Sequence, residues 1–148
     1  TNDAPSTITR LQNMGTPDYL ISAACQLVVA QRLARRNCKD CKVPDDDVNP
    51  KVLQDLGFTA EVASRVKAIK GKGCPKCKDT GYKGRQGIYE ILSVSKPLKE
   101  AILRQATTPE LREIAVKEGF QTMQDMGRRL IASGELNFRE FERVLSEG

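Results

Sequence analysis

The 148-residue chain contains no histidine. Without an imidazole there is no Ser-His or Cys-His nucleophile pair, and that branch of covalent catalysis is excluded. No apolar run approaches the ~20 residues that a bilayer-spanning helix needs. The opening "TNDAPSTITR" has no apolar core segment, so no signal peptide is expected. It also starts without methionine, which reads as a piece cut from a longer chain. With no export signal a reducing compartment is expected, and structural disulfides are not. No G-x-x-x-x-G-K-[ST] phosphate loop occurs anywhere; the nearest stretch, "GKGCPKC", has the wrong glycine spacing and no following Ser or Thr. Aromatics make up only 5% of the residues.

What is present is a polar composition, 39% hydrophobic and 29% charged, which fits a globular chain and not a disordered one. Net charge is +5 and the excess is concentrated. From Arg65 to Arg85 eight basic residues (Arg65, Lys67, Lys70, Lys72, Lys76, Lys78, Lys83, Arg85) face one acid, Asp79, a local +7 that leaves the remainder slightly acidic. Such a patch is either a solvated face or a surface for phosphates, an anionic membrane or an acidic partner.

Four regions follow along the chain. A helix is expected around Ser6 to Met14, ended by Gly15, then a second with Thr16 as N-cap and Pro17 at its first position, carrying Tyr19, Leu20 and Ala23 inward. "QLVVAQRLA" reads as a buried strand. From Asn37 to about Tyr82, Asn49-Pro50 starts a short helix that Gly57 stops, and Thr59 caps another near Ala60 to Ile69. Asp45 to Asp47 read as an exposed turn. "RQGIYEIL" from Arg85 to Leu92 reads as a strand with Ile88, Glu90 and Leu92 on one face and Tyr89 and Ile91 on the other. From Lys96 on, apolar periodicity at Leu111, Ile114 and Ala115, then Met123, Met126, Leu130 and Ile131, predicts helices punctuated by Gly119 and Gly134. The last one has Asn137 as N-cap, Glu140 at N3, and Leu136 stapled to Phe141.

Five cysteines carry the chemistry. Cys38-Lys39-Asp40-Cys41 and Cys74-Pro75-Lys76-Cys77 are two Cys-x-x-Cys pairs separated by thirty-two residues. A tight turn sets two sulfurs on adjacent corners of a tetrahedron, and two turns supply the four thiolates of a closed zinc site. Disulfides, free thiols, an iron–sulfur cluster or another metal remain alternatives. A closed four-sulfur centre has no open position, so its role is structural and not catalytic. Lys39, Lys42, Lys76 and Lys78 flank the ligands and are expected to lower the thiol pKa values. Cys25, alone in an apolar helix, reads as buried packing. A nucleic-acid-binding zinc ribbon is the rival reading, but Tyr82 and Tyr89 are the only aromatics near the basic stretch and offer bases little to stack on.

"TNDAPSTITRLQNMG", "VVAQRLARRNCKDC" and "GCPKCKDTGYKGRQGIYEIL" together resemble the C-terminal part of the bacterial traffic ATPases that drive type IV pilus assembly and type II secretion. The resemblance implies an α+β fold in three parts. Residues 1–36 would end a RecA-like ATPase layer, 37–84 would form an inserted tetracysteine zinc subdomain, and 85–148 would be a strand and a C-terminal helical subdomain. It implies structural Zn2+ on Cys38, Cys41, Cys74 and Cys77, with ATP and Mg2+ bound only by the full-length parent. Thr1, Asn2 and Asp3 look like the tail of the family's histidine box, without the histidine itself. The chain alone is expected not to hydrolyse ATP. Its partners would be the other subunits of a hexameric motor and inner-membrane platform components, with an anionic lipid surface meeting Lys72, Lys83 and Arg85, the last in the loop past the ligands. The expected location is cytoplasmic, peripheral to the inner membrane, and the isolated piece is expected to be monomeric.

Overall fold

A computed structural model describes residues 3–145 and shows a mixed α+β chain of two compact units. The first contains the residues up to Gln31 and Tyr89–Met123; the second contains Arg32–Ile88 and the residues from Gln124 on. Two long strands, β1 (Leu27–Asn37) and β4 (Tyr82–Ser93), form a two-stranded sheet and each continues from one unit into the other. Hydrogen bonds at its ends, Val94 N–H to the Gln26 carbonyl and Cys38 N–H to the Gly81 carbonyl, run it antiparallel. The alternation expected for β4 is present: Ile88, Glu90 and Leu92 are buried, Tyr89 and Ile91 exposed. The strand begins earlier than its apolar pattern suggested, so Arg85 lies within β4 and not in a loop.

In the first unit, α1 (Ala4–Asn13) packs on α6 (Thr108–Lys117), and α2 (Asp18–Ala24) on α5 (Lys96–Leu103). Asp3 caps α1 by accepting the Ser6 N–H at 2.8 Å, the favoured chemistry for an N-terminal orphan amide. The reading of α2 needs correction. Thr16 does not cap it; Pro17 takes that position with no side-chain hydrogen bond. Tyr19 and Leu20 are 69% and 48% exposed and Ala23 is exposed too, while Ile21 and Ser22 are buried. A seven-residue helix with apolar residues all round gives no stripe from which to choose a face. Cys25 is not inside that helix: it is the C-cap, half-buried.

Glu90 anchors this unit. Its side chain is 1% exposed; Oε1 accepts the Ala4 N–H at 2.6 Å and Oε2 the Met123 N–H at 3.0 Å. These amides open α1 and α7 (Met123–Ser133), so one carboxylate satisfies orphan donors, and meets the positive dipole ends, of two helices.

In the second unit, β2 (Lys42–Pro44) and β3 (Ile69–Gly71) pair antiparallel with Lys42 opposite Gly71. Between them run α3 (Pro50–Asp55), capped by Asn49 as expected, and α4 (Ala60–Arg65), capped by Thr59 but ending well short of Ile69. α7 and α8 (Phe138–Leu145) complete the unit. Gly127 lets them close: a Cβ there would sit 2.3 Å from Leu145 Cδ1. α5 and α6 fall in the first unit and α8 in the second. Asn137 caps α8 through the Glu140 N–H at 2.8 Å. The Glu140 carboxylate, however, goes to Arg35 and Arg143. Among the described residues no helix is long and apolar enough to cross a membrane.

Candidate metal centre

Each cysteine is delivered by a strand end or a turn. Cys38 follows β1 and Cys41 precedes β2. Cys74 and Cys77 bracket a single 3-10 turn, Pro75–Cys77, with proline at its first position. Lys78 and Asp79 then take left-handed conformations, φ 56° and 60°, each at a cost of about 1–3 kcal/mol that surrounding structure must offset. Backbone bonds stitch the knuckles to their neighbours: Cys38 N–H to Gly81 O and Lys72 N–H to Cys41 O, both 2.9 Å. The chain approaches itself so closely that only glycine fits. A Cβ on Gly71 would lie 1.9 Å from the Gly81 carbonyl oxygen, and one on Gly81 2.5 Å from the Gly71 oxygen.

The four sulfurs lie within 4.8 Å of one another. Cys38–Cys74 and Cys74–Cys77 are 3.7 Å apart and Cys41–Cys77 3.8 Å. Four sulfurs ~2.3 Å from one centre at tetrahedral corners are separated by about 1.63 times that radius, or about 3.8 Å. A disulfide would bring two of them to ~2.05 Å, and all five cysteines are free thiols. A cluster that gives each thiolate its own iron would spread the sulfurs apart. The spacing therefore fits one tetrahedrally coordinated ion.

Backbone amides, not lysines, set the local electrostatics. Gly73 N–H points at Cys41 Sγ (3.3 Å), and the Cys74 and Gly81 N–H groups at Cys77 Sγ (3.2 Å each). Burial works against the Cys77 thiolate, yet the amides of Cys74 and Gly81 outweigh it and bring the thiol down to about 6. At Cys41 burial prevails and the thiol is pushed up to about 12. The expectation that flanking lysines do this work is corrected: Lys76 is engaged by Asp40 at 3.6 Å, and Lys39, Lys42 and Lys78 are exposed.

The other residues singled out from the sequence do not form one site. Lys83 and Arg85 are exposed on the same side of β4, whereas Lys72 lines a polar cleft beside β3 with Arg139. Thr1 and Asn2 lie outside the described residues. Asp3 caps α1 and pairs with Arg112 at 2.7 Å.

Around the centre lies a polar framework. The Asn37 amide donates to the Ile69 and Gly134 carbonyls at 3.2 and 3.0 Å. Glu140, 1% exposed, accepts from Arg35 N (2.7 Å) and both guanidinium groups, and Arg35 lies 4.1 Å above the Tyr82 ring. Burial would raise the Glu140 pKa, but bonds from Arg143 and Arg35 reverse this and hold it at about 2.

Comparison with known proteins supplies the context for this knot. The family model described as "Type II/IV secretion system protein" matches residues 1–143. The chain belongs to that family. Similar proteins include the type IV pilus assembly ATPase PilB of Myxococcus xanthus, 37% identical over 95% of this chain and 25% of that protein. PilB of Thermus thermophilus is 41% identical over 86% of this chain and 14% of its own length. The type II secretion system ATPase E of Vibrio cholerae is 35% identical over 99% of this chain and 28% of its own. The chain spans between 14% and 28% of the length of these relatives. The resemblance read from its motifs holds, and both branches of the family are represented.

Proposed function

We propose that this chain is the zinc-stapled coupling region of a traffic ATPase that powers type IV pilus assembly or type II secretion. The sulfur spacing carries the reading. Cys38, Cys41, Cys74 and Cys77 would hold one Zn2+, which when bound neutralises thiolate charge and locks two chain segments, with no open position for chemistry. The amides of Gly73, Cys74 and Gly81 would share the excess negative charge of four thiolates. Residues 1–36 would close the RecA-like layer of the parent, 37–84 form the zinc subdomain and 85–148 the C-terminal part. ATP and Mg2+ would belong to the parent, because no Walker-type loop in this sequence can cradle phosphates. Other subunits of a hexameric motor and an inner-membrane platform would be its partners, in the cytoplasm at the inner membrane.

Native mass spectrometry of the purified chain tests this: one zinc per folded monomer is expected, and a folded, metal-free chain would overturn the reading. Protein-dependent ATP turnover by the chain alone would overturn the division of labour. For the exposed Lys83 and Arg85, contact with anionic lipid predicts binding to acidic vesicles that fades with salt. Equal binding to neutral vesicles would end that idea.

A further inference from the structure

The second unit contains a cleft that the metal centre does not use. Its volume is about 340 Å³, and its walls carry Asp45, Asp47, Lys70, Lys72, Tyr82 and Arg139. Gly71 and Thr80 also line it. The charges are not equally committed. The Asp45 carboxylate accepts the Asp47 N–H at 3.2 Å and stands 4.0 Å from Lys70 Nζ, so these two largely answer each other. Lys72 and Arg139 are exposed and pair with no carboxylate among the described residues. The Tyr82 hydroxyl accepts from Asn137 Nδ2 at 3.0 Å, which leaves its own hydrogen free to donate. Thr80 is already spent: its hydroxyl bonds the Cys77 and Tyr82 carbonyls.

We propose that this cleft binds a small phosphate ester whose organic part carries hydroxyl groups. Two uncommitted cations and a phenolic donor on one concave surface suit a phosphoryl group, which accepts several charge-assisted bonds at once. Asp47, an acceptor beside them, suits hydroxyls on the remainder of the ligand. The volume accommodates a molecule of that size at the lower end of ordinary ligand sites. The same phosphate chemistry is offered by a soluble metabolite and by a lipid headgroup, and the experiment separates them. The site depends on the folded cysteine knot proposed above, so metal content is measured on every variant.

The test is titration of the full metal-loaded chain with glycerol 3-phosphate and with inorganic phosphate, followed by calorimetry, with phosphatidylglycerol vesicles as a separate arm. Saturable binding of glycerol 3-phosphate, tighter than inorganic phosphate, is expected. Lys72→Gln and Arg139→Gln should each weaken it about tenfold, whereas Lys51→Gln, which removes the same charge from an exposed position in α3, should leave it unchanged. One zinc per chain in all three variants shows that the knot is intact. The proposal is overturned if neither soluble probe binds. It is equally overturned if Lys51→Gln weakens binding as much as Lys72→Gln, or if vesicles bind while glycerol 3-phosphate does not. Loss of zinc together with binding in Lys72→Gln would count against the knot; Arg139→Gln, remote from the cysteines in sequence, then decides the cleft on its own.

Discussion

Replacing Glu140 by glutamine removes one charge and almost no volume, and the effect can be worked from the site. The carboxylate takes the Arg35 backbone N–H at 2.7 Å and guanidinium bonds from Arg35 and Arg143 at 2.6 to 3.2 Å. Its pKa falls from 4.5 to about 2. At about 1.4 kcal/mol per pH unit, that difference corresponds to about 3 kcal/mol of folding stability. Both arginines are about half exposed, at 51% and 55%, so water screens part of the attraction and we reduce the figure to about 2 kcal/mol. The sign follows from the lowered folded-state value. The contribution is fully present above pH 4.5, where the unfolded chain is also ionised, and is lost as acid carries the folded chain toward pH 2. Urea unfolding of wild type and Glu140→Gln, followed by circular dichroism from pH 7 downward, should show a gap of about 2 kcal/mol that stays constant to about pH 5 and falls by roughly half near pH 3. A gap under about 0.5 kcal/mol at pH 7 would place this network with ordinary surface ion pairs and refute the reasoning. So would a gap that widens on acidification.

Further outcomes follow from other close contacts. Gly71→Ala places a methyl group 1.9 Å from a carbonyl oxygen that no side-chain rotation can relieve. It should cost at least about 3 kcal/mol and weaken metal retention, measured by zinc release to a chromogenic chelator. Glu90→Gln presents one oxygen and one NH2 to two helix-opening amides, so a donor faces a donor. Thermal melting should show a loss of about 1–3 kcal/mol. Cys74→Ser should abolish stoichiometric zinc binding, read by elemental analysis, because three thiolates leave the tetrahedron open.

How much of this was legible in the sequence divides by distance along the chain. The four-cysteine cluster was readable because cysteine is both the candidate ligand and the spacing marker, and a two-residue gap fixes a local turn. The caps at Asn49, Thr59 and Asn137 were readable because each acts on an amide three residues ahead. Glu140 looked like the second half of a capping box for the same local reason. Its carboxylate is instead drawn to Arg35, 105 residues away, and no pattern within α8 signals that. Glu90 hid in plain alternation. Its placement with Ile88 and Leu92 on the buried face was visible, and a carboxylate at a core position implies buried donors. Those donors are the amides of Ala4 and Met123, which only the fold brings together. The face of α2 failed for a different reason: a short helix with apolar residues on every side holds too little periodic information.

A two-stranded sheet is marginal on its own, so the end of β1 must be held by more than its pairing along β4. Three separate devices meet there. On the inner edge the Cys38 N–H pairs with the Gly81 carbonyl, at the start of β4. On the outer edge the Arg35 N–H is taken by Glu140 and the Asn37 N–H by the Glu135 carbonyl, so amides that would invite another strand are filled. Beyond the strand, Cys38 enters the sulfur cluster and is fixed to Cys74, 3.7 Å away. Only the last device would depend on the zinc proposed above. Chelation should therefore release the two knuckles and the left-handed turn at Lys78 and Asp79, while the Arg35–Glu140 lock persists until its own acid transition. Hydrogen exchange on the chelated chain reads the difference directly. Amides of Gly73, Cys74 and Gly81 should lose protection, and those of Arg35 and Asn37 should keep it. Simultaneous loss at all five would show that the ion, and not the carboxylate, holds the strand.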